Sequence, residues 1–74
     1  MTQKQTLAAI RSLGLSATMT EHKEIRVTFP LDSFEGARSH RINKAEQIAY
    51  YATDRQDALQ TAQFMAARLP LKVR

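Results

Sequence analysis

In two short runs, Leu15 to Met19 and Ile25 to Phe29, the apolar residues recur at every second position. Leu15, Ala17 and Met19 alternate with Ser16, Thr18 and Thr20; Ile25, Val27 and Phe29 alternate with Arg26 and Thr28. A period of two is the signature of a half-buried strand. Two such strands so close in sequence form a hairpin, and the pattern constrains its register. All six apolar side chains must lie on one face, because a one-residue slip sends a strand's whole apolar set to the other side. Met19 opposite Ile25 satisfies this and leaves an odd-numbered loop, Glu21-His22-Lys23. Pro30, which has no N–H to donate to a ladder, ends the second strand or lies at an edge.

The flanks read as helices. Leu7, Ile10 and Leu13 share one side of a helix over residues 3–13, with Lys4, Ala8 and Arg11 on the other. Thr2 and Gln5 have the spacing of a capping box. Gly14 suits a left-handed helix ending, with Leu15 packing back on Ile10. At the other end, Thr53 and Gln56 form a second capping box, and Asp54 and Asp57 complement the dipole of a first turn. That helix is expected over residues 54–69. Its apolar side carries Ala58, Leu59, Ala62, Met65, Ala66 and Leu69, and Pro70 blocks its continuation.

The middle is harder to read. Asp32, Ser33, Gly36 and Ser39 favour a loop over residues 31–44, with Phe34 tucked onto the core. Residues 45–52 have two readings. As a strand, Ile48, Tyr50 and Ala52 face one way and Ala49 and Tyr51 the other. As a helix capped by Asn43, with Glu46 completing a capping box, they would run unbroken to Leu69. That helix would place Arg55 inside its apolar stripe, and the start signal at Thr53 favours the strand. The expected architecture is an α+β domain of order α-β-β-β-α: a small three-stranded antiparallel sheet with both helices on its apolar face. All 74 residues form one domain.

Composition bounds the chemistry. The chain has no cysteine, which excludes disulfides, thiolate catalysis and cysteine zinc sites. No apolar run approaches the roughly 18 residues of a membrane span. The first residues show no signal-peptide pattern, so a cytoplasmic protein without membrane contact is expected. His22 and His40 have no partner at metal-ligand spacing. No nucleophile lies near a base, and there is no glycine-rich phosphate loop. A non-enzymatic protein is therefore expected, with no cofactor, metal or small-molecule ligand.

The net charge of +4 is unevenly spread. Residues 1–37 carry four bases and four acids; residues 38–44 carry Arg38, Arg41 and Lys44 with no acid. Residues 45–67 sum to −2, and the last seven add Arg68, Lys72 and Arg74. A basic internal loop and a basic tail read as a footprint for nucleic acid or another polyanion. The candidate contacts are Arg26, Arg38, His40, Arg41, Lys44, Lys72 and Arg74, with the polar sheet face as a docking surface. Phe64 stands with Asp57, Gln60, Thr61 and Arg68, away from its helix's apolar side. It is the candidate for a second reading, a protein-interaction module or homodimer contact.

The Ala49-Tyr50-Tyr51 run, with Asp54 and then Asp57-Ala58-Leu59, resembles a group of small uncharacterised proteins of bacteria, their phages and plasmids. The Leu7-to-Gly14 helix and the short hairpin extend the likeness, with a longer loop here at residues 31–44. It implies a strand before Thr53 and a mobile-element origin, and no activity. The order strand, strand, capped helix is similar in topology to the sheet-type DNA-binding domain of tyrosine-family phage integrases, whose three-stranded sheet enters the major groove. The full α-β-β-β-α order is similar to double-stranded-RNA-binding domains. Those place lysines at the start of the last helix, where this chain has Asp54 and Asp57.

Overall fold

The computed structural model describes residues 2–69. Helix α1 spans Gln3–Ser12, strand β1 Ser16–Met19 and strand β2 Ile25–Thr28; a single 3₁₀ turn follows at Leu31–Ser33. Helix α2 spans Arg38–Gln47, strand β3 Tyr50–Ala52 and helix α3 Arg55–Ala66. The three strands form one antiparallel sheet of order β1-β2-β3. The fold is α+β, as expected, with a third helix inserted between the second and third strands.

The hairpin has the register that its pattern demands. Met19 pairs with Ile25 and Ala17 with Val27, and β3 adds Ala52 beside Ile25 and Tyr50 beside Val27. Thr20 N–H donates to the Glu24 carbonyl at 2.9 Å, closing the three-residue loop. Lys23 takes the left-handed conformation there (φ 62°), a place where glycine or asparagine is usual. Ala17, Ile25, Val27 and Ala52 are buried beneath α1 and α3, together with Ile10, Ala58, Ala62 and Met65. Phe34 joins this core at 3% exposure, as expected. Thr6 is buried as well, its hydroxyl donating to the Thr2 carbonyl at 2.9 Å. The Thr2–Gln5 capping box forms with both of its hydrogen bonds.

Gly14 ends α1 at φ +93°, and a Cβ built there would lie 3.2 Å from Leu69 Cδ1. The left-handed conformation favours glycine there, and any side chain would also push Leu69 aside by a few tenths of an ångström. Gly14→Ala is expected to cost about 1–2 kcal/mol, the usual penalty for an L-residue held left-handed. Chemical denaturation of the two proteins measures it.

Three expectations are corrected. Residues 31–44 are not a loop: they hold the 3₁₀ turn and most of α2. Residues 45–52 divide, with 45–47 closing α2 and only Tyr50–Ala52 forming strand; Ile48 is exposed between them. An unbroken helix to Leu69 does not form, because Ile48 leaves helical geometry (φ −114°, ψ 14°) and Asn43 lies inside α2 rather than capping it. Finally, Asp54 and not Thr53 caps α3, its carboxylate accepting the Gln56 N–H at 3.3 Å. Asp54 offers both an acceptor and a charge that the helix dipole favours. The apolar side of α3 is as expected, and its end continues as i→i+3 turns to Leu69.

Candidate functional site

The polar face of the sheet carries Ser16, Thr18, Arg26, Thr28 and Tyr51. The last turn of α2 docks on part of it. Arg26 and Tyr51 are direct cross-strand neighbours, and both reach Glu46. Arg26 donates from Nε (3.0 Å) and Nη2 (2.6 Å) to Glu46 Oε2, and the Tyr51 hydroxyl donates to Oε1. Both Arg26 donors meet one carboxylate oxygen, and charge-assisted hydrogen bonds of this kind are stronger than neutral ones. Beside it, the buried Thr28 hydroxyl donates to the Ala45 carbonyl at 3.1 Å. That carbonyl is one of the last four in α2, which have no partner within the helix. Thr28 and Glu46 therefore fix the C-terminal end of α2 to the sheet.

The electrostatics agree with the geometry. The Tyr51 and Arg26 hydrogen bonds hold the Glu46 carboxyl below its ordinary value of 4.5. Burial alone would lower the Arg26 guanidinium, but its bonds to Glu46 and Tyr51 outweigh this and leave it raised. A carboxylate lowered in the folded state contributes stability above its ordinary value and loses it as pH falls through the folded value. Glu46→Gln is therefore expected to lower Tm at neutral pH and to flatten the acid limb of the stability curve. Thermal melts of both proteins from neutral pH down through the carboxylate range test this.

With its end anchored, α2 carries Arg38, Arg41 and Lys44 at intervals of three, one per turn along one side. Arg38 and His40 are exposed, while Arg41 and Lys44 are half-buried. Arg41 Nε is buried and has no hydrogen-bond partner among the described residues. Among the described residues, Arg38, Arg41 and Lys44 have no ion-pair partner. The one acid of α2, Glu46, is engaged by the sheet. At its other end α2 begins at Ala37, which makes no side-chain cap, after Gly36 at φ +107°. The His40 ring lies against Gly36, within 3.1 Å of where a Cβ would stand.

The structure thus unites Arg38, His40, Arg41 and Lys44 on one helix and draws Arg26 away from them to Glu46. Lys72 and Arg74 lie outside the described residues. Phe64 stands on α3, among the helices of the opposite face. It is 63% exposed, with the Arg68 guanidinium 4.0 Å above its ring. Sequence reasoning missed Glu46 as the anchor of α2. The one signal was that no other acid occurs between Glu35 and Asp54. An open cleft of about 580 Å³ between α1 and the start of α3 is lined by Thr6, Thr53, Asp54, Arg55, Gln56 and Leu59. Among the described residues its lining carries one acid and one base and so no net charge. Among the described residues, no group of three or more His, Cys, Asp or Glu could hold a metal, and no helix is long and apolar enough to cross a membrane.

Comparison with protein-family models, with curated proteins and with solved structures finds no match for the chain.

Proposed function

We propose that the protein is a small, non-enzymatic binding protein that holds nucleic acid through the basic side of α2. The observation that carries this reading is the one-per-turn spacing of Arg38, Arg41 and Lys44 on a helix whose only acid is occupied by the sheet. A helix gains from acids in its first turn, yet α2 has Arg38, His40 and Arg41 there or just beyond it and no side-chain cap. A phosphate beside that turn would be attracted both by the side chains and by the unpaired N–H groups. Arg26 now serves to anchor α2, so the contacts pass from the sheet to the helix. The sheet-in-groove mode of phage integrases fits poorly, because Thr28 is buried and Arg26 engaged beneath α2. Lys72 and Arg74 would extend the footprint from the C-terminal tail.

A gel-shift titration with a short DNA duplex tests this reading. Binding at low salt that weakens steeply as salt rises is expected, because phosphate contacts release counterions. No shift at low salt would remove it.

The exposure of Phe64 favours a second reading, a protein-interaction module of a mobile genetic element acting in the cytoplasm. The Phe64 ring lies under the Arg68 guanidinium, and phenylalanine and arginine are both residue types enriched in protein interfaces. Phe64→Ser that leaves oligomeric state and partner capture unchanged would exclude Phe64 from it.

A further inference from the structure

We propose that β1 is a latent strand-pairing edge whose partner is a second copy of the chain, and that Arg11 keeps it closed. Among the described residues the sheet has two edges, β1 and β3. In an antiparallel pair the residues alternate between pairs that bond each other and pairs whose N–H and C=O groups point outward. The Thr20–Glu24 bond sets the phase of this alternation. Counting back from it, Thr18 and Ser16 bond β2, while Ala17 and Met19 direct their backbone groups away from the sheet. The same alternation carried across β2 leaves only Tyr51 facing outward on the three-residue β3. The longer edge, able to accept another strand, is therefore β1.

That edge is blocked at its centre. The Arg11 side chain comes down from α1 and donates from Nε (3.1 Å) and Nη2 (2.7 Å) to the Ala17 carbonyl. An incoming strand would need that acceptor, and a charge held on an edge is a common means of preventing edge-to-edge pairing.

The strand itself suits a second copy. Ser16–Met19 carries no charge, so self-pairing opposes no like charges along the ladder. A two-fold axis through Thr18 would join Ala17 to Met19 of the second copy, and Met19 to Ala17 of the second copy. Both outward residues would be bonded, with apolar side chains of both copies on the covered face. The same axis would bring two Arg11 guanidinium groups to one short edge, so repulsion between them adds to the blocked carbonyl.

The test replaces Arg11 by Ala or by Met. Both are strong helix formers, and Met also keeps an unbranched stem, so α1 is retained if one variant folds poorly. Light scattering after gel filtration should give the chain mass of 8.4 kDa for the parent and twice that for the variants. Arg11→Lys, which keeps the charge, should remain nearer the monomer. The chain has no cysteine, so Thr18→Cys reports the axis directly. Thr18 would face its own copy in a non-bonded pair, the closer of the two pair types and within disulfide reach. Oxidation should cross-link Thr18→Cys only when Arg11 is also replaced. Folded Arg11 variants that stay monomeric would overturn the proposal. So would a dimer that fails to cross-link through Thr18→Cys, or cross-linking with Arg11 intact.

Discussion

Replacing Arg38 and Lys44 together by glutamine should weaken duplex binding by roughly one to two orders of magnitude at low salt and leave the fold intact. Neither residue has an ion-pair partner among the described residues, and neither belongs to the buried core, so the fold among those residues loses no ion pair. The loss falls on the complex. Each phosphate neutralised contributes about 0.9 to the slope of log affinity against log salt, so the double variant should show a slope shallower by about 2. A lost affinity with an unchanged slope would mean that these side chains do not meet phosphate. Arg26→Gln should behave differently. It removes the anchor of Glu46, so its main effect should be on the thermal stability of α2 and the sheet.

The largest effect on stability is expected from Ile10→Ala. Ile10 is fully buried where α1 meets the sheet. Truncating such a residue costs about 2–5 kcal/mol, because the loss of apolar transfer is joined by an unfilled cavity. A 74-residue domain has a total stability of roughly 4–11 kcal/mol at the usual value per residue. The substitution therefore removes a large fraction of it. Each kcal/mol lowers Tm by about 4–8 °C in a domain of this size, so a fall of about 8–40 °C is expected by calorimetry. Phe64→Ser is the contrasting case. Phe64 is 63% exposed and lies outside the core, so its Tm should stay near that of the parent.

The sheet and the two outer helices were legible because their signals are local and agree with one another. Alternation in β1 and β2, together with the need for one apolar face, left a single register, and the register is the one found. Glycine at position 14 and the Thr2–Gln5 box marked the ends of α1 from short-range chemistry alone. Helix α2 gave no such signal. Ala45 is its one buried residue, Ile42 is 44% exposed, its cap is alanine and its cations crowd the unfavourable end. What holds it is the pairing of Glu46 with Arg26, 20 residues away in sequence, and the bond from Thr28 to Ala45. Periodicity cannot display contacts of that range. Thr53 and Asp54 are adjacent residues of good capping type, so local sequence alone did not choose between them. The candidate site was half visible: the cluster Arg38, His40, Arg41 and Lys44 was apparent as charge, but the helix that orders it was not.

The most direct test of α2 as the binding element is an amide NMR titration of the whole protein with a short DNA duplex at low salt. The largest shifts should map to residues 37–44 and fade as salt is raised, with α3 around Phe64 unaffected. Shifts centred on Phe64 and Arg68, or no shifts at all, would contradict it.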